Sequence, residues 1–88
     1  MVRDMPESGP SLSDAIAANV RGERARLKLT QAELGERLGI SAATVSDIET
    51  GRRAVTANDL PSLCAAFGVP LSELARRANP RDLRVLGL

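Results

Sequence analysis

The stretch TQAELGERLGISAATVSDIETGRR, Thr30 to Arg53, decides the reading of this chain. It holds two short helix-like runs separated by a single glycine, Gly39. Neither run, at about eight residues, is stable as an isolated helix. Thr30-Gln-Ala-Glu33 forms a capping box: the threonine hydroxyl takes the Glu33 amide while the glutamate reaches back to the threonine N–H. Leu34 and Leu38 mark the buried side of this helix, and Gly39 ends it because glycine enters the left-handed conformation cheaply. Ile40 is too apolar for an exposed turn and is read as buried. Ser41 caps the following helix, with Val45 and Ile48 inward and Gly51 as its stop. Its other residues are a bland row of Ser, Ala, Ala, Thr, Ser and Asp, which no core requires.

Outward from this pair, the periodicity predicts more helices and no strands. Ser11 with Asp14 caps a helix from about residue 12 to 27, carrying Leu12, Ile16, Val20 and Leu27 on one side and weakened at Gly22 by about 1 kcal/mol. Leu60, Leu63, Cys64 and Phe67 fall at i, i+3, i+4 and i+7 of a fourth helix over Thr56 to Gly68. Pro61 is awkward if that helix begins at Thr56, and a start near Asn58 is the alternative. Leu71 to Ala78 is a fifth helix with Leu74 and Ala75 inward. Asn79-Pro80-Arg-Asp-Leu83 starts either one more short helix, since proline suits the first helical position, or an extended tail. Residues 1–10 read as a flexible tail and residues 79–88 as an apolar extension that is a core cover or a dimer contact.

Composition narrows the function. The chain has 88 residues, 43% apolar and 26% charged, and fits one globular domain. It contains no histidine and a single cysteine, Cys64, which excludes Cys/His zinc sites, disulfide frameworks and His-based triads. With no base near Cys64 and no Gly-rich phosphate loop, no enzyme, metal or cofactor is expected. Phe67 is the sole aromatic residue, so stacking on unpaired bases is not available. No apolar run is long enough for a membrane span and the N-terminus lacks a signal-peptide core, so a cytoplasmic protein is expected.

Net charge is only +1, but the basic residues cluster. Arg21, Arg24, Arg26 and Lys28 face Glu23 alone, and Arg52 and Arg53 directly follow the third helix. Such clustering is a weak nucleic-acid footprint. Residues 30–50 set Arg37 against Glu33, Glu36, Asp47 and Glu49 and are net acidic. Arg76 and Arg77 fall where a cation complements a helix end.

These residues together resemble the phage repressor/Cro-type (XRE-like) helix-turn-helix family, from about Ala15 to Ala78. The segments that carry the likeness are TQAELGERLGIS, ATVSDIETGRR and LCAAFGVPLSEL, with the family's small residue at Gly35, its turn glycine at Gly39 and its branched core residues at Val45 and Ile48. The resemblance implies an all-α, five-helix repressor-like domain over residues 11–78 with its motif at 31–50. It implies a sequence-specific regulator that binds double-stranded DNA as a homodimer, with helix 41–50 in the major groove. Thr30, Gln31, Arg52 and Arg53 would then touch phosphate. Ser41, Ala42, Ala43, Thr44, Ser46 and Asp47 would face the bases. Arg24 and Glu49 would form a structural ion pair. Two departures stand out: Ala, Ala and Asp occupy positions where the family often has Gln, Arg or Lys, and Lys28 stands where it often has glycine. A protein-interaction module on the same scaffold, suggested by the acidic excess and the apolar C-terminus, is the alternative.

Overall fold

In a computed structural model, residues 9–88 build six helices: α1 (Leu12–Arg26), α2 (Gln31–Leu38), α3 (Ala42–Glu49), α4 (Asp59–Phe67), α5 (Leu71–Leu74) and α6 (Pro80–Leu86). No strand occurs among the described residues. The expected N-terminal tail lies, for residues 1–8, outside the described residues; Pro10, which follows, accepts a 2.8 Å hydrogen bond from the Asn79 amide. Ile16, Val20, Leu34, Val45, Ile48, Leu63, Phe67 and Leu74 form one buried cluster fed by α1 to α5. Leu38, Ile40, Leu60 and Cys64 pack at its edge, half-buried. Burial pushes the Cys64 thiol pKa up, as befits a packed side chain rather than a reactive one.

Local signals set most helix boundaries. Ser11, Thr30 and Ser41 each accept a backbone hydrogen bond three residues on. The capping box at Thr30 and Glu33 is complete, with bonds of 3.0 and 2.8 Å. Gly39 sits at φ +74°, and the Ile40 amide returns to the Gly35 carbonyl at 2.9 Å. Lys28 ends α1 in the same left-handed way, at φ +58°, with Leu29 N–H donating to the Arg24 carbonyl and Lys28 N–H to that of Ala25. This is the two-bond helix stop that glycine usually makes, here forced on a lysine.

Three elements differ from the sequence reading or resolve it. α4 takes the later start: Thr56 to Asp59 is a turn in which the Asp59 carboxylate accepts both the N–H (2.8 Å) and the hydroxyl (3.0 Å) of Thr56. Pro61 is then the third helical residue, whose N–H would have no partner inside the helix anyway. α5 stops at Leu74 instead of running to Ala78, because the buried Asn19 side chain donates to the carbonyls of Leu74 (2.7 Å) and Arg76 (2.9 Å). The second of these could not bond within a helix, since Pro80 lacks the required N–H.

The chain after Asn79 is helical rather than extended. Asn79 caps α6 by accepting from Asp82 N–H at 2.9 Å, and Asp82 accepts the Leu12 amide at 3.1 Å, so α6 is stitched to the start of α1. No residue of α6 is fully buried, and Val85, Leu86 and Leu88 are exposed.

Candidate nucleic-acid interface

α2, the turn Gly39-Ile40-Ser41 and α3 form a helix-turn-helix held by a very close approach. A Cβ on Gly35 would lie 2.5 Å from the Ile40 carbonyl oxygen and 3.3 Å from the Ser41 carbonyl carbon. The mid-helix glycine is therefore required by the backbone of the turn, which folds over α2, and not by the helix crossing itself.

Behind α3 a polar clamp fixes its orientation. The Arg24 guanidinium meets both Glu49 carboxylate oxygens, at 2.6 and 3.1 Å, and also donates to the Leu29 carbonyl at 2.9 Å. Gln31 Nε2 donates to the same carboxylate at 3.2 Å, and Arg21 donates to the Glu49 carbonyl. The Glu49 side chain is 3% exposed. One carboxylate thus ties together α1, the corner after it, the start of α2 and the end of α3.

The front of α3 contributes no residue to the buried core. Val45, Ile48 and Glu49 are buried behind it, whereas Ala43 is exposed and Ala42, Thr44, Ser46 and Asp47 are half-exposed. Ser41 Oγ accepts the Thr44 amide at 3.1 Å and pairs with the Thr44 hydroxyl at 2.9 Å, which commits both hydroxyls at the leading end of the helix. What remains there is a small apolar surface of alanine methyls. Farther along, Asp47 supplies a carboxylate, and Arg52 approaches it at 3.8 Å with its side chain 80% exposed.

Arg53 behaves differently from its neighbour. Its amide donates to the Asp47 carbonyl at 3.1 Å, and its guanidinium lies 3.7 Å from Asp59. Nη1 is buried without a hydrogen-bond partner. The Thr56 amide above all, then the Thr56 hydroxyl and the Arg53 charge, hold the Asp59 carboxyl below its usual range, against the opposing effect of burial.

Sequence reasoning brought these front residues onto one motif but misjudged several charges around it. The cluster Arg21, Arg24, Arg26 and Lys28 is no free basic patch: Arg24 and Arg21 serve Glu49, and Arg26 bonds Glu23 at 2.8 Å. Glu23, the one acid set against that cluster, is 4% exposed and also holds Arg76 at 3.1 Å. Arg76 therefore serves both as a bridge to α1 and at the helix end, where it donates to the Glu73 carbonyl at 2.9 Å, and Arg77 sits in the left-handed turn at φ +72°. The acidic excess of residues 30–50 is likewise reduced at the surface. Glu49 is paired inside, whereas Glu33, which closes its capping box, stays exposed and charged, its carboxyl held low chiefly by the Thr30 amide. Neither Asn19 nor Asp59 is singled out by the sequence reading: the partners of Asn19 lie 55 and 57 residues away, whereas the Thr56–Asp59 spacing is a local signal that could have marked the turn before α4.

Among the described residues no cluster of His, Cys, Asp and Glu could hold a metal, and no helix is long and apolar enough to cross a membrane. The helix-turn-helix domain family matches residues 15–77. The chain is 34% identical to the clp gene regulator ClgR from C. glutamicum over 74% of its length and 84% of that protein, with a TM-score of 0.67. It is 30% identical to the DNA-binding domain of BldD, covering 73% of this chain and 93% of that one, TM-score 0.65. With the P22 c2 repressor, whose structure is a complex with a synthetic operator, the identity is 26%, the coverage 69% and 92%, and the TM-score 0.63.

Proposed function

The chain belongs to the phage repressor/Cro-type (XRE-like) helix-turn-helix family, and on that premise we propose that it is a sequence-specific DNA-binding regulator of transcription, acting as a homodimer on a roughly palindromic operator. The observation that carries this reading is α3 itself: clamped from behind through Glu49, with small side chains exposed or half-exposed in front. A helix so held, with small side chains outward, suits insertion into a major groove about 12 Å wide. The matched regulators, one of them seen on operator DNA, support the same reading.

In this reading Ser41, Ala42, Ala43, Thr44, Ser46 and Asp47 face the base edges. The alanine methyls suit apolar contact with thymine methyl groups, and Asp47 suits a cytosine amino group. Thr30 and Gln31 at the start of α2, with Arg52 and Arg53 beyond α3, take phosphate. Gln31 brings its backbone N–H to that task, since its side-chain amide is bound to Glu49. No histidine is present to supply a proton switch near neutral pH, and concentration, a partner or competition would supply the control.

The test is a footprint on the DNA upstream of the protein's own gene, at low and at physiological salt. The expected outcome is two protected half-sites about 34 Å apart, with affinity falling steeply as salt rises. A protein-interaction module is the second reading, favoured by the exposed Val85, Leu86 and Leu88. No protection at low salt, together with a bound protein lost on deleting residues 79–88, would favour that module instead.

A further inference from the structure

Two adjacent arginines leave α3, and the structure treats them unequally. The Arg52 side chain is 80% exposed, whereas that of Arg53 is 39% exposed and folded back toward α4. Arg53 lies in a cleft whose other walls include Ser13, Asp14, Ala17, Gly51 and Val55. We propose that Arg53 is a stowed phosphate clamp and that Asp59 holds it off DNA, so that Asp59 limits how tightly the protein grips DNA outside its operator. The inference rests on the DNA-binding reading above and adds to it the residue that restrains one of its contacts.

The stowed arrangement is weakly held. The distance from Arg53 to Asp59 Oδ1 is 3.7 Å, longer than a hydrogen bond, and the other carboxylate oxygen is occupied by Thr56. Nη1 is buried with no acceptor. Arg53 thus holds unspent donors where it lies, and a phosphate would satisfy them through charge-assisted bonds. The backbone is already in place for that exchange, because the Arg53 amide is pinned to the Asp47 carbonyl at the end of α3. Only the side chain has to turn. A phosphate held in register by the rest of the interface competes well with a loose surface ion pair, whereas a passing one competes less well. Asp59 therefore weakens generic binding more than operator binding.

A double-mutant cycle tests this. Asp59→Asn removes the charge but keeps an oxygen to accept the Thr56 amide, and a thermal melt checks the fold; Asp59→Ser repeats the test should the amide lower the melt. The wild type, Asp59→Asn, Arg53→Ala and the double variant are titrated with a short mixed-sequence duplex over a range of KCl concentrations. Asp59→Asn is expected to bind up to about fivefold tighter, the upper end for releasing an exposed ion pair. Its log–log salt slope should steepen by up to about 0.9, one further phosphate contact. Both gains should vanish when Arg53 is alanine. An equal gain in both Arg53 backgrounds would show that the carboxylate acts only through bulk charge, and no gain in either would show that it restrains nothing; each overturns the proposal. A wild type that binds no duplex even at low salt overturns the DNA-binding reading and the clamp with it, a result distinct from binding without coupling.

Discussion

Arg24 and Glu49, 25 positions apart in sequence, meet side-on, with Nε and Nη2 donating to the two carboxylate oxygens at 2.6 and 3.1 Å, and this pair helps to fix where the outer face of α3 points. The Glu49 side chain is almost wholly buried, while that of Arg24 is 22% exposed. Removing one partner of a buried pair costs about 3–5 kcal/mol, mostly because the other charge is left stranded. The two deletions are therefore unequal. Arg24→Ala strands Glu49 with Gln31 alone and should cost about 3 kcal/mol. Glu49→Ala leaves Arg24 free to turn to water while keeping Leu29, and should cost about 2 kcal/mol. Urea unfolding of the two variants measures the difference. A smaller loss for Arg24→Ala than for Glu49→Ala would contradict the clamp as described.

Gly35→Ala separates helix propensity from packing. In an open helix the change would gain about 1 kcal/mol. Here the new methyl would fall 2.5 Å from the Ile40 carbonyl oxygen, a backbone atom with no rotamer to yield. Overpacking of this kind typically costs about 1–3 kcal/mol, so a net loss of about 1 kcal/mol is expected once the propensity gain is set against it. Because the displaced atom belongs to the turn, α3 should also shift, and DNA affinity should fall more than stability alone accounts for. A variant as stable as the wild type would mean that the turn relaxes freely.

The motif was legible in the sequence because its signals are local. Thr30 and Glu33 cap each other, Gly39 makes its own turn, and Val45 and Ile48 share one face of one helix. The parts that were not legible depend on distant partners. α5 ends early because Asn19, 55 residues away from Leu74, takes its carbonyl. Glu23 is buried because Arg26 and Arg76 neutralise it from two sides. The unequal placement of Arg52 and Arg53 depends on a turn at Thr56 that the apolar stripe of α4 does not reveal.

Lys28 offers a stabilising change. A left-handed conformation costs an L-residue about 1–2 kcal/mol, while glycine loses about 0.5–1 kcal/mol of extra chain entropy on folding. With φ at +58°, Lys28→Gly should therefore stabilise by about 0.5–1 kcal/mol, an increase in melting temperature of several degrees for a chain of this size. Lys28→Ala, which keeps the Cβ, should give no such gain. Melts of both variants measure the effect, and a rise for alanine equal to that for glycine would show that the lysine side chain, not its backbone, was the cost.

Asp47 and Arg52 divide base reading from phosphate binding. Arg52→Ala should weaken binding to all duplexes alike and reduce the salt slope by about 0.9. Asp47→Ala should change the preferred base at one position per half-site, where a good reader is worth about 1–3 kcal/mol. Selection from a randomised half-site before and after each change tests both. An unaltered preference for Asp47→Ala would remove Asp47 from the readers and leave the alanine methyls to carry the apolar contacts.

Val85 tests where two copies would meet. Its side chain is 79% exposed on α6, a helix with no fully buried residue, so Val85→Glu should leave the melt within about 0.5 kcal/mol of wild type. If α6 is the seam, the substitution places two carboxylates against each other, and binding to paired half-sites should lose its cooperativity while affinity for a single half-site stays unchanged. The seam is small: Val85, Leu86 and Leu88 offer three exposed apolar side chains, against about 20–30 residues per side in a standard interface. Free protein should therefore sediment largely as monomer at low micromolar concentration and pair on DNA, where the operator supplies the alignment that so small a patch cannot. Cooperativity that survives Val85→Glu would move the seam away from α6 and leave its apolar side chains to a different protein.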